Sequence, residues 1–109
     1  MDKVQLGRTE ALFREVNEAI AETAARLDVD DAGFVCECGD SACTERVTAG
    51  LDEYERVRAH PTRFLLEPGH HEPRLERVVR ETKHYAIVEK VEQTVDAVVR
   101  QLDPRARTA

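Results

Sequence analysis

The chain has 109 residues, 41% hydrophobic and 35% charged, with three Phe, two Tyr and no Trp. That length carries one domain with a mainly aliphatic core and is too short for two independent cores. The net charge of −6 lies wholly in the first half, with 11 acidic and 5 basic groups in residues 1–50 against 11 and 11 beyond. This opposes the basic stripe that a nucleic-acid binder needs, and no run approaches the ~18 apolar residues of a membrane span.

Residues 1–8 read as a flexible N-terminus without the basic flank and apolar run of a secretory signal, so a soluble, cytoplasmic protein with reduced thiols is expected. A first helix is predicted over residues 9–27. Thr9 would be its N-cap, and Leu12, Phe13, Val16, Ile20, Ala24 and Leu27 recur at three- and four-residue spacing as its inner face. Phe34-Val35-Cys36 and Glu45-Arg46-Val47-Thr48 read as two strands of a short hairpin around the cysteines. A second helix follows over Leu51–Ala59, capped weakly by Gly50 and stopped by Pro61. Arg63-Phe64-Leu65-Leu66 is short and apolar, as a strand would be, and Pro68-Gly69 marks a turn.

Glu72-Pro73 is expected to open a third helix with Leu75, Val78 and Val79 inward. His84 to Glu89 reads as a strand and Thr94 to Leu102 as a last helix stopped by Asp103-Pro104. Residues 104–109 are expected to be a flexible tail. The whole is an α+β fold, a single domain over residues 9–103. Its expected core includes Val57, Leu65, Val78, Ile87 and Val88 beside Phe13, Val16 and Ile20.

The chemistry concentrates in Cys36-x-Cys38-x4-Cys43. Three soft sulfur ligands from one sharply turned segment, with Gly39 at the turn, select zinc or an iron–sulfur cluster over magnesium or calcium. Structural zinc takes a fourth ligand. His70, delivered by Pro68-Gly69, is the first candidate and His71 the second, because adjacent side chains on an extended segment point opposite ways. His60 and His84 read as surface residues. The bland alternative is three buried thiols packing as small apolar groups, which the interleaved Glu37, Asp40 and Ser41 disfavour. A dithiol redox pair would more usually be Cys-x-x-Cys. Glu37 or Asp40 could serve a catalytic metal on paper, but His-Glu-x-x-His and the zinc-deaminase pattern are missing. The reading is one structural zinc per chain and no catalytic residue.

Phe34-Val35-Cys36-Glu37-Cys38-Gly39-Asp40, Cys43-Thr44-Glu45, Glu53-Tyr54-Glu55 with Val57-Arg58-Ala59, and Pro61-Thr62-Arg63-Phe64-Leu65 together resemble a family of small zinc-finger-like proteins from high-GC bacteria. Pro68-Gly69-His70, Glu76-Arg77-Val78-Val79 and Val88-Glu89-Lys90 continue the likeness, which spans roughly residues 10–90. It carries over no activity. It implies three cysteines paired with a Pro-Gly-His, which favours His70 over His71. The expected role is a non-enzymatic, regulatory zinc module that binds another protein. The alternatives are a nucleic-acid-binding zinc domain using Arg74, Arg77, Arg80 and Lys83, with Arg58 and Arg63 beside them, or a thiol-based redox sensor.

Overall fold

A computed structural model describes residues 2–108. Three α-helices, α1 (Lys3–Arg26), α2 (Leu51–Arg58) and α3 (Gln93–Gln101), surround two small antiparallel sheets, and a 3-10 turn over Pro104–Thr108 follows. The α+β expectation holds, with a compact chain built around one core.

The first helix starts six residues before its expected beginning. Asp2 is its N-cap, and the Asp2 carboxylate accepts from Val4 N at 3.0 Å and Gln5 N at 3.2 Å. Such a cap satisfies amides that have no partner inside the helix. Thr9 sits within the helix, its hydroxyl donating to Gln5 O at 3.0 Å. Residues 3–8, expected to be flexible, are thus helical. They pack on α3, where a Cβ on Gly7 would lie 2.8 Å from Val98 Cγ1.

The buried face of α1 is also not the expected one. Glu10, Arg14, Asn17, Ala21 and Ala24 point inward, while Leu12 and Val16 are exposed and Phe13 and Ile20 half-buried. At about 100° per residue the inner face is turned by about a quarter turn from the apolar stripe. The polar residues go inside because distant segments supply partners. Arg14 donates to Pro61 O and Val99 O, each at 2.7 Å, and stacks over Phe64. Lys90 bonds both Glu10 and Glu76, and Arg58 bonds Asp103, all away from solvent.

The first sheet is the hairpin β1 (Asp31–Val35) and β2 (Arg46–Gly50), with Phe34 opposite Val47. The second has three strands, β3 (Arg63–Leu66), β4 (Glu76–Glu81) and β5 (Ala86–Lys90), in the order β3-β5-β4. The segment expected to form a third helix is therefore β4, entered through a turn. Only Leu75 and Glu76 are buried there, and Val78 and Val79 face out, so Val78 is not a core residue. The nearly continuous burial of β5 explains the outcome, because a central strand needs pairing on both edges and Val78-Val79 suits a strand. The expected Val57, Leu65, Ile87 and Val88 are buried, joined by Phe64 and by Phe34 stacked on Tyr54 at 4.6 Å. No helix among the described residues is long and apolar enough to cross a membrane.

The C-terminal residues are tied down as well. Arg105, expected in a flexible tail, donates to Glu18 at 2.7 Å and to Glu55 at 2.9 Å. Residue 109 lies outside the described residues.

Candidate metal centre

The β1–β2 connection carries the cysteines, and two separate features bend it into a knuckle. Cys43 N donates to Asp40 O at 3.0 Å, while the Asp40 carboxylate accepts from Ala42 N at 2.9 Å. Gly39 lets the knuckle sit under α1, since a Cβ there would fall 1.8 Å from Leu6 Cδ1. On the other side, β3 runs into Glu67-Pro68-Gly69-His70. Gly69 has φ +89° and His70 N donates to Glu67 O at 3.1 Å, as in a type II turn with Pro second and Gly third. The turn folds His70 back onto the knuckle.

Glu37 locks the two segments together. Its backbone N–H donates to Leu65 O at 2.8 Å and its carboxylate accepts from Leu65 N at 2.8 Å, so backbone and side chain together tie it to Leu65 of β3. The other carboxylate oxygen accepts from Asn17 Nδ2 at 2.7 Å. Asn17 in turn bonds both Val35 O and Val35 N, at 2.9 and 2.8 Å. Burial pushes the Glu37 carboxyl up, and these donors work against that. Cys36 and Cys38, on either side of Glu37, therefore stand on a rigid base.

The ligand atoms of Cys36, Cys38, Cys43 and His70 all lie within 4.8 Å of one another. His70 Nδ1 is 3.7 Å from Cys36 Sγ and 3.6 Å from Cys43 Sγ. Bonds of ~2.3 Å to sulfur and ~2.0–2.1 Å to nitrogen in a tetrahedron put S and N about 3.5–3.6 Å apart. The spacing fits a four-coordinate ion such as zinc. Glu67 N donates to Cys36 Sγ at 3.2 Å, a bond that favours the thiolate. Cys36 and Cys38 are buried, Cys43 is half-buried and His70 exposed, so the cluster has a closed floor and an open side.

Electrostatics point the same way. The Cys36 thiol bonds to Cys38, and this pulls Cys38 down to about 5 while pushing Cys36 far up. Burial raises Cys43. Packed this closely and partly buried, the three thiols resist ionising together. A divalent cation removes that resistance, since a coordinated thiol is deprotonated outright.

Models of known protein families, curated proteins and solved structures give no match to this chain. The family likeness rests on the quoted residues alone.

The remaining candidates fall elsewhere. His71 is half-buried outside the cluster, its Nδ1 enclosed without a hydrogen-bond partner among the described residues. His60 and His84 are exposed. Arg74, Arg77 and Arg80 lie on or beside β4 and pair with Glu72, Glu89 and Glu53 at 3.0, 3.0 and 3.5 Å, and Arg63 lies 3.6 Å from Glu89. Arg58 is buried. Sequence reasoning missed the structural part played by Glu37 and Asn17. The available signal was an Asn inside a helix, where it is a poor former unless it bonds something.

Proposed function

We propose that this protein is a non-enzymatic module held in shape by one structural zinc ion and acting through its surface on another protein. Cys36, Cys38, Cys43 and His70 would hold the ion, with His70 ligating through Nδ1. The observation that carries the reading is the convergence of those four ligand atoms from two segments 27 residues apart, at separations suited to a tetrahedron. The ion would fasten the cysteine knuckle to the turn after β3, where a small core gains from a staple.

A structural role is supported by the donor set, because three thiolates leave little Lewis acidity on the metal and a histidine closes the fourth position. Glu37, the nearest acid in sequence to two ligands, spends its carboxylate on Asn17 and Leu65, which leaves it no part in activating water. The free thiols suit a reducing compartment.

Metal content by mass spectrometry, on protein purified without a metal-affinity tag, tests the reading. One zinc per chain is expected, with Cys36→Ser, Cys38→Ser and Cys43→Ser each lowering it sharply. His70→Ala should weaken retention and lower the melting temperature together, while His71→Ala and His60→Ala change little. Full zinc occupancy in all the cysteine variants would overturn the assignment, and iron with visible absorbance would replace zinc by an iron–sulfur cluster.

A further inference from the structure

The four groups that would hold the ion are not equally sheltered. Cys36 and Cys38 are 2% and 4% exposed, and Cys36 Sγ also accepts from Glu67 N at 3.2 Å. Cys43 is half-buried between exposed Ser41, Ala42, Thr44 and Glu45, and His70 is exposed. A small polar oxidant arriving on the open side therefore meets Cys43 before either other sulfur. The three sulfurs lie within 4.8 Å of one another, and all are free thiols.

The two segments that the cluster joins are anchored differently. The hairpin is tied to β3 and α1 without the ion, through Glu37 to Leu65 and Asn17 and through Asn17 to Val35. Residues 68–71 have no such tie. Among the described residues, their hydrogen bonds beyond their own turn go to the knuckle, between His70 Nδ1 and the sulfurs of Cys36 and Cys43.

We infer that Cys43 and Cys38 are an oxidation-sensitive pair, and that peroxide, by joining them, releases the ion and frees the turn at His70. The Cys43 thiolate attacks one oxygen of hydrogen peroxide. The O–O bond breaks, hydroxide leaves, and Cys43 becomes a sulfenic acid. The Cys38 thiolate then attacks the Cys43 sulfur, an S–S bond forms, and a second hydroxide leaves. Two electrons pass from the sulfurs to the peroxide, and the two hydroxides take protons from solvent to become water. Cys36 is the poorer partner, because a disulfide imposes its own dihedral and needs a backbone that can adjust. Cys36 N donates to Glu45 O in the hairpin stem, and the pinned Glu37 separates Cys36 from Cys38. Cys38 and Cys43 are instead the two ends of the loop itself. Once they are joined, only Cys36 and His70 remain of a four-coordinate set. The inference rests on the structural zinc reading and names what regulates that site.

Hydrogen peroxide added to the zinc-loaded full chain, with release read by a chromogenic zinc chelator, is the test. Zinc content before oxidation checks the metal reading separately. One zinc per chain should leave as one disulfide forms, and a dithiol reductant with added zinc should reverse both. Proteolysis after Glu37 divides Cys36 from the other two, so alkylation and mass spectrometry should find Cys36 alkylated and Cys38 joined to Cys43. Amide hydrogen exchange over residues 68–74 should rise on oxidation, while residues 31–37 and 63–66 stay protected. Cys43→His keeps four ligands without the exposed sulfur, and should release zinc at least ~10-fold more slowly. Zinc retained under peroxide that fully oxidises the chelated chain would overturn the inference and leave the metal reading intact. A chain that holds no zinc would overturn both. A disulfide to Cys36, exchange rising across the whole chain, or a zinc-loaded Cys43→His that releases as fast as wild type would each overturn it as well.

Discussion

Changing Glu37 to Gln alters one oxygen into an NH2 group and removes a buried charge, yet it should destabilise the protein substantially. Both carboxylate oxygens of Glu37 accept hydrogen bonds, one from Leu65 N at 2.8 Å and one from Asn17 Nδ2 at 2.7 Å. Asn17 cannot turn its amide over to compensate, because its oxygen accepts from Val35 N and its nitrogen also donates to Val35 O. The glutamine would keep the bond to Leu65 and set its own NH2 against the Asn17 NH2. Losing a charge-assisted bond costs about 1.5–3 kcal/mol, and a buried donor left unsatisfied about 1–3 kcal/mol. Relief of the carboxylate's desolvation offsets part of this, which leaves about 2–4 kcal/mol. In a domain of this size that lowers the melting temperature by about 10–20 °C. Urea denaturation of Glu37→Gln beside wild type, with zinc and after chelation, measures it, and the cost should appear under both conditions because the network does not include the metal. A difference below ~0.5 kcal/mol, as at a surface position, would refute the claim that Glu37 joins the hairpin to β3.

The buried charges give a second prediction. Lys90→Met strands Glu10 and Glu76 and should cost about 3–5 kcal/mol in denaturant unfolding. Glu10→Leu, Lys90→Met and Glu76→Gln together should recover most of it, since uncharged replacement of a buried ion cluster at similar volume is often neutral, and the glutamine oxygen at position 76 can still accept from Glu72 N. Burial pushes the Glu10 carboxyl from its ordinary 4.5 up to about 7. The folded state then binds more protons than the unfolded state between those values, so this group's contribution of about 3 kcal/mol is present below pH 4.5 and lost as pH rises through 7. Glu10→Gln should remove that component from the pH–stability curve, and an unchanged slope would place Glu10 nearer solvent. Gly39→Ala should cost about 1–3 kcal/mol by overpacking against Leu6. Leu6→Ala in the same chain should return part of that, with a coupling above ~0.5 kcal/mol in a double-mutant cycle.

The convergence of Cys36, Cys38, Cys43 and His70 was legible from residue types and spacing. Three cysteines within eight residues and a histidine set behind Pro68-Gly69 need only local turns to present their ligand atoms, and local turns are written in Gly, Pro and Asp. The hairpin, α2, β3 and α3 were legible for the same reason, each carrying its own period and stop signals within a dozen residues. The segment after Pro73 was not, because Leu75, Val78 and Val79 satisfy a helical spacing as readily as a strand. What decided it was the pairing demand of β5, ten residues further on.

The orientation of α1 shows the limit most clearly. By itself the sequence determined that residues 9–26 are helical and that one side of that helix is apolar. Only the tertiary structure decided which side is buried. Glu10, Arg14 and Asn17 can enter a core only if their hydrogen bonds and charges are met there, and the groups that meet them sit at Val35, Glu37, Pro61, Lys90 and Val99. A burial that depends on partners 18 to 85 residues away leaves no mark in the local period, because the cost of burying a polar group is set by what the rest of the chain brings to it.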